Sequence, residues 1–258
     1  MSAGPLPRLI TIPISHYGER ARWALDRAGI EYIEEHHLQM FAWGPAFLHG
    51  GKKTVPLLLL PGGTCLNDSG IILDWASRQC AEPYYPDDAA ERRAVEELEA
   101  KLVAYGVETR RVTYSWVLND PSTLEYNYGR APGWQQAFFR NAFGVARKFA
   151  KQYLAVNPAA LAIAHETIER TLDDVALQLS DGRAFLMGER FTAADLTFAA
   201  MSAAVLLPRE YGVPLPEAEQ AIDGVRDKLL EWREHPAAVF ALRLYRDERR
   251  RVLKSTTA

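Results

Sequence analysis

Apolar and polar positions follow two rhythms along this chain. Leu9-Ile10-Thr11-Ile12-Pro13-Ile14 is a short apolar run that reads as a β-strand, with Pro13 near its end. Residues 16–28 switch to three- and four-residue spacings that gather Ala21, Trp23, Ala24 and Ala28 on one helical face, and Gly29 stands where a C′ glycine belongs. Ile30 to Glu35 reads as a second strand, so the opening is a βαβ unit with parallel pairing. Residues 38–51 are irregular. Val55 to Leu60 turns at Pro61-Gly62-Gly63 into Thr64-Cys65-Leu66, a hairpin signal. Ser69 to Cys80 is predicted helical, with Ile72, Trp75 and Ala76 on one face.

After the short linker Pro83-Tyr84-Tyr85-Pro86-Asp87 the rhythm becomes helical throughout. Val95, Leu98, Leu102, Tyr105, Val112 and Trp116 form one stripe of a long helix. Residues 119–133, with Asn119-Asp120-Pro121, Gly129 and Pro132-Gly133, read as a loop. Further helices are predicted over 134–155, 159–180, 193–207, 217–234 and 237–253. In Phe191-Thr192-Ala193-Ala194-Asp195-Leu196, Thr192 is an N-cap and Asp195 closes a capping box, with Phe191 and Leu196 at the staple positions. Asp195 is therefore read as a folding device, with no catalytic role. No internal repeat or low-complexity segment is present.

Composition narrows the function classes. The chain has 258 residues, 48% hydrophobic and 24% charged, which is a packed globular balance for one or two domains. The net charge of −3 lacks the basic excess of a nucleic-acid binder and gives no attraction to an anionic membrane. No apolar run approaches the roughly 18 residues of a spanning helix. Met1 to Arg8 shows no basic stretch leading into an apolar run, so no secretory signal is expected. Cys65 and Cys80 form neither a C-x-x-C pair nor a metal-ligand cluster, and a cytoplasmic setting is expected. His36-His37 and His165 lack metal-ligand spacing and are read as surface or packing residues. Arg243, Arg246, Arg249, Arg250 and Arg251, interspersed with Asp247 and Glu248, read as a solvated helix end.

Three places hold candidate chemistry. Ser15 follows the first strand and precedes a helix, beside free N–H groups and the positive end of a helix dipole. That place suits an anion such as a thiolate; read locally, a plain cap is the simpler role. Val55-Pro56 opens a strand. A cis peptide would turn the Val55 backbone outward to pair with a peptide-like ligand, whereas a trans strand-opening proline is the commoner case. Asp68-Ser69 stands at another helix start, where it either caps or holds a ligand's carboxylate and ammonium. Lys52-Lys53, just upstream of Val55, either reach a second carboxylate or are solvated.

These pieces occur in one order and spacing, and in them the chain resembles the soluble glutathione transferases. Ser15-His16-Tyr17-Gly18-Glu19-Arg20-Ala21-Arg22-Trp23-Ala24-Leu25 resembles the S-P-F-x-x-R-x-R-x-A-L start of the serine-type classes. Lys52-Lys53-Thr54-Val55-Pro56-Leu57-Leu58 is similar to their K-x-x-V-P-x-L segment, and Asn67-Asp68-Ser69-Gly70-Ile71-Ile72 to their E-S-x-x-I block with Asp for Glu. Phe185 to Arg190 and the capping box resemble their C-terminal signature. The likeness spans most of residues 9–207.

The resemblance implies an α/β thioredoxin-like N-terminal domain (residues 1–82), a linker (83–87) and an all-α helical-bundle domain (88–258) carrying an electrophile pocket. Glutathione would be the co-substrate, with no metal. Val55, beside cis Pro56, would pair with its cysteinyl backbone, Asp68 and Ser69 would hold its γ-glutamyl end, and Lys53, with Lys52 as the alternative, its glycine carboxylate. Ser15 would donate a hydrogen bond to the sulfur. The implied activity is conjugation of glutathione to hydrophobic electrophiles or reduction of organic peroxides by a cytoplasmic homodimer, with neither nucleic acid nor membrane as partner. The alternative is a non-catalytic module of the same fold that binds apolar ligands or a protein. Four departures bear on this. His16 replaces a frequent Pro, so a less rigid loop is expected. Serine rather than cysteine at position 15 argues against thiol transfer. Tyr17 is read as a packing residue and a fallback donor. The 119–133 stretch is longer than expected, as an insertion shaping the electrophile pocket would be. Tyr105, Tyr114 and Trp116 are candidates for that pocket's wall, with core packing the better reading.

Overall fold

The computed structural model describes residues 5–49, 54–119, 126, 129–221 and 223–249. Four short strands, β1 (Arg8–Thr11), β2 (Ile33–His36), β3 (Leu57–Leu59) and β4 (Cys65–Asn67), form one sheet in the order β2-β1-β3-β4. β1 and β2 are parallel and joined by helix α1 (His16–Arg27), while β3 runs antiparallel to both β1 and β4. Both the βαβ unit and the hairpin follow the sequence pattern. Pro13 and the turn after it end β1 at Thr11. β2 begins three residues later than the pattern predicts, because Gly29 (φ 66°) and Ile30 close α1. The Gly29 N–H bonds the Asp26 carbonyl and the Ile30 N–H the Leu25 carbonyl, both at 3.0 Å. The irregular stretch holds a short helix, α2 (Trp43–Leu48), and α3 (Ser69–Ser77) stops before the predicted Cys80.

The rest of the described chain is helical. α4 (Ala89–Val117) starts on Asp88, whose carboxylate accepts from the N–H groups of Ala90 and Glu91, each at 2.9 Å. α5 (Gly133–Tyr153) and α6 (Pro158–Gln178) follow, the latter capped by Asn157 with Pro158 in the first turn. α7 (Ala193–Leu206) opens on the predicted capping box. Asp195 accepts from the Thr192 N–H at 2.8 Å and also from the Leu186 N–H at 2.8 Å, which ties the preceding turn to the helix. α7 is buried on nearly every side and is the centre of the bundle. Gly106 of α4 lets it approach, since a Cβ there would overlap the Met201 side chain. The predicted 217–234 helix is instead a short turn (Ala218–Gln220) and α8 (Asp223–Glu234). The last predicted helix divides into α9 (Pro236–Leu244) and a π turn (Tyr245–Arg249).

One continuous apolar core joins sheet and bundle. It runs from Leu9, Leu58 and Ile72 through Leu102 and Ile168 to Phe198 and Leu244. The sheet layer is therefore fixed against the bundle by side-chain packing, not by the linker alone.

Candidate functional site

The turn between β1 and α1 is braced from three sides. The Ser15 N–H bonds the Ile12 carbonyl at 3.0 Å, Arg22 donates to the Pro13 carbonyl at 2.5 Å, and the Tyr211 hydroxyl donates to the Ile14 carbonyl at 3.2 Å. Ser15 is the N-cap of α1, and its Oγ accepts from the Gly18 N–H at 3.3 Å. This uses the hydroxyl as an acceptor. Its proton has no acceptor among the described residues and remains available to a ligand.

His16 does not loosen this turn, contrary to the sequence expectation. It is buried, its Nε2 lies 3.0 Å from the Gly106 carbonyl, and its ring lies against Tyr17. Burial, with the Arg110 charge adding to it, pushes its pKa down to about 3. The neutral ring thus donates to α4 and anchors α1 there. Tyr17 is likewise turned to α4, donating to the Val103 carbonyl at 3.3 Å, and burial raises its phenol pKa.

The Val55–Pro56 peptide is cis. Neither the N–H nor the C=O of Val55 bonds another described residue, whereas the flanking carbonyls of Thr54 and Pro56 accept from Asn67 at 3.0 and 3.5 Å. Asp68, at φ 118°, is exposed and caps α3 by accepting from the Gly70 N–H at 2.8 Å. Ser69 is only 2% exposed and accepts from the Arg20 Nη1 at 3.1 Å. Lys52 and Lys53 lie outside the described residues.

Arg20 is a connection that the sequence reading missed. Buried in α1, it reaches Ser69 at the start of α3, the Thr197 hydroxyl of α7 at 3.0 Å, and Glu99 of α4. Tyr85 donates to the other Glu99 oxygen at 2.7 Å. Its spacing from Ser15 marked it as part of a motif, but nothing local identified its partners 49 to 177 residues away.

Ser15 and Val55 line one cavity of about 200 Å³, closed on its far side by α4 and α5. The α4 wall is Arg110, Thr113, Tyr114 and Val117, one helical face at i, i+3, i+4 and i+7. Next to it lies a larger, mostly apolar chamber of about 860 Å³. The two share Ile14, Thr113, Val117 and Ala204 as wall residues. Tyr114 thus faces the small cavity and Trp116 the large one. Tyr105 belongs to the core and bonds Ser202 at 3.1 Å. Tyr126, Gly129 and Arg130, from the long 119–133 stretch, also line the large chamber.

The arginine-rich end is not simply solvated. Arg249 is 1% exposed and donates to Glu19 at 2.9 Å and to Asp26 at 2.5 Å, because its π turn packs on α1. Arg246 is exposed and pairs with Asp247, while Arg250 and Arg251 lie outside the described residues. The histidines are engaged by neighbouring groups: His36 lies 3.2 Å from the Thr11 hydroxyl and His235 caps α9. His37 lies 2.9 Å from the Gln135 amide and His165 lies against Trp232. Among the described residues no group of three or more His, Cys, Asp or Glu side chains is placed to hold a metal ion.

Two family models match this chain. The glutathione S-transferase N-terminal domain covers residues 14–79 and the glutathione S-transferase C-terminal domain residues 158–235. Together they span more than half of the chain, which belongs to the glutathione S-transferase superfamily. Its fold is the α/β thioredoxin-like layer with an all-helical bundle.

Solved structures share that fold. A glutathione S-transferase from Methylobacillus flagellatus KT, with glutathione bound, is 19% identical at a TM-score of 0.61, covering 95% of this chain and 98% of its own. The theta class glutathione S-transferase of Xanthomonas axonopodis pv. citri, also with glutathione bound, is 18% identical at a TM-score of 0.53, covering 92% and 97%. FzlA from C. crescentus is 16% identical at 0.58, covering 96% and 92%. No curated protein sequence matches this chain.

Proposed function

We propose that this protein is a serine-type glutathione transferase that ionises the glutathione thiol beside Ser15 and directs it at hydrophobic electrophiles. The observation that carries this reading is the meeting of Ser15, with its unengaged proton, and Val55, with its unengaged backbone pair, in one cavity walled by the helical bundle. The tripeptide lies along the thioredoxin-like segment (residues 1–82). Val55 pairs with its cysteinyl backbone, and Asp68 with the N–H groups at the start of α3 holds its γ-glutamyl end. The buried Ser69 hydroxyl, already accepting from Arg20, contributes its remaining proton, and Lys53 meets the glycine carboxylate. The bundle (88–258) supplies the electrophile's apolar surroundings.

A free thiol with a pKa near 8.5 is only a few per cent thiolate at neutral pH. Donation from Ser15 and the amino end of α1 favour the anion and lower that pKa. The thiolate forms a C–S bond as the leaving group departs with its electron pair. With an organic peroxide it bonds the terminal oxygen as the O–O bond breaks and the alkoxide leaves to be protonated, and a second glutathione then displaces the oxygen from that sulfur as water to give the disulfide. A cytoplasmic homodimer is the proposed assembly, paired through Trp134, Phe138 and Val145, which are exposed on α5.

The test is the ultraviolet thiolate absorbance of bound glutathione, titrated in the wild type and in Ser15→Ala. Loss of one charge-assisted hydrogen bond, about 1.5–3 kcal/mol, raises the bound pKa by about 1–2 units. Glutathione that binds with an unshifted pKa in the wild type refutes the enzyme reading. It would leave the non-catalytic module, which one observation favours: the cavity at Ser15 is about 200 Å³, below the roughly 300–1,000 Å³ of ordinary ligand pockets.

A further inference from the structure

The cavity beside Ser15 has an unbalanced charge. Its wall carries one guanidinium, Arg110, and among the described residues that line it there is no Asp or Glu. Arg110 lies over the Tyr17 ring, with its Cζ 5.7 Å from the centroid, and forms no hydrogen bond or ion pair with another described residue. The neighbouring acid, Glu108, is already paired with Arg111. The other charge-capable wall groups are His16, held neutral, and tyrosines. Most of the remaining wall is apolar, including Trp43, Phe139 and Phe149.

A guanidinium facing an apolar cavity without a counter-charge has its binding capacity unspent. Its planar fork suits a carboxylate, which it holds through two parallel hydrogen bonds. It stands on the same α4 face as Thr113 and Val117, which border the larger apolar chamber. An acceptor with a carboxylate at Arg110 would direct its apolar body along that wall and present a carbon to the sulfur at Ser15.

We propose that Arg110 is a specificity-determining residue that selects electrophiles bearing a carboxylate on an apolar body. The proposal names the substrate class for the transferase read above and rests on that reading for its chemistry, though not for the binding.

Binding is tested without glutathione. The probes are 4-phenylbutanoate and its methyl ester, followed by quenching of tryptophan fluorescence, to which Trp43 in the wall contributes. A charge-assisted pair predicts that the wild type binds the acid about 10- to 100-fold more tightly than the ester. In Arg110→Gln the acid-to-ester ratio falls towards one, and Arg110→Lys, which keeps the charge and loses the fork, keeps part of it. Turnover is tested with glutathione and 4-chloro-3-nitrobenzoate against its methyl ester. Sulfur bonds the ring carbon that loses chloride, chloride leaves with the bonding pair, and the thiol proton goes to solvent. The acid-to-ester ratio of kcat/KM falls in parallel in Arg110→Gln.

An equal affinity for acid and ester in the wild type overturns the proposal, and that measurement needs no variant to fold. A ratio unchanged in Arg110→Gln overturns it too. So does weaker glutathione binding in Arg110→Gln with the ratio intact, which would assign Arg110 to the tripeptide. An Arg110-dependent preference for the acid, with glutathione bound at an unshifted thiol pKa, supports the carboxylate site at Arg110 and refutes the transferase reading instead.

Discussion

Removing the Glu19 carboxylate should unlock the C-terminal segment from α1. Glu19 is fully buried. Its Oε2 accepts from Arg22 Nη1 and from the Gly212 N–H, each at 3.0 Å, and its Oε1 from Arg249 Nε at 2.9 Å. Arg22 has a second acid in Glu34 at 2.7 Å, and Arg249 a second in Asp26 at 2.5 Å. Burial opposes both guanidinium charges, but these carboxylates outweigh it and hold both pKa values above the ordinary arginine value. Glu19→Gln keeps the size and one good acceptor. It loses one charge-assisted bond outright and turns an NH₂ group towards a guanidinium.

The lost bond is worth about 1.5–3 kcal/mol, and breaking a buried pair costs about 3–5 kcal/mol, so about 3 kcal/mol is expected. With a urea m-value of about 3 kcal/mol/M, that lowers the midpoint by about 1 M. The assay is urea unfolding followed by circular dichroism and tryptophan fluorescence together. Gly212→Ala should act on the same place, since its Cβ would sit 2.6 Å from Glu19 Oε2. Adding Arg249→Met to Glu19→Gln should cost less than the two singles summed, because the second change removes a guanidinium the first left short of a partner. A Glu19→Gln midpoint within about 0.2 M of the wild type refutes this reasoning.

His16 makes acid stability a second measurable. Its folded pKa is depressed to about 3 from 6.5, so its neutral form stabilises the fold above about pH 6.5. That contribution is lost as pH falls towards 3, with a slope of up to about 1.4 kcal/mol per pH unit. His16→Gln, still able to donate to the Gly106 carbonyl, should flatten the stability profile between pH 6 and 4, whereas parallel profiles would exclude the assignment. On α5, Trp134, Phe138 and Val145 are large apolar side chains left exposed on one helix. If they bury against a second copy, Val145→Asp removes about 1.5–3 kcal/mol of burial twice per dimer, enough to raise the dimer Kd at least about 100-fold. Light scattering across a dilution series reads this, and an unchanged mass for Val145→Asp would place the interface elsewhere.

What was legible in the sequence was carried by local rules. Gly29 closes α1 because the chain needs a left-handed residue there. The Thr192 and Asp195 box opens α7, and the alternation around Pro61-Gly62-Gly63 makes a hairpin, all within a few residues. Ser15, Val55 and Asp68 stand out as candidates because each sits at or beside an element's end, where backbone groups are free. The missed features all depend on distant partners. Arg249 looked like one charge in a solvated run, and only the packing of its turn on α1 buries it. His16 looked like a lost proline, and only α4 supplies the carbonyl it anchors to. Arg110 lies in a polar stretch, Glu108-Thr109-Arg110-Arg111, whose register becomes informative once one face is known to line a cavity. The Trp43–Leu48 helix escaped because six residues with a glycine and a proline carry no readable period.

Two of the arginines of α1, Arg20 and Arg22, hold the start of α3 and the turn that precedes Ser15 to one helix. Residues two apart on a helix leave it in different directions. Arg20 departs towards Ser69 at the start of α3 and continues to Thr197 and Glu99 in the bundle. Arg22 departs towards Glu34 of β2 and the Pro13 carbonyl in the turn that precedes Ser15. Glu19, one turn from the cap, closes the second set onto Gly212 and Arg249. The place proposed for the sulfur and the place proposed for the γ-glutamyl end are therefore held by one helix, not by two independent loops. The same helix is fixed to the bundle that walls the cavity. A substitution that disturbs either arginine should accordingly move glutathione affinity and stability together, although neither side chain lines the cavity.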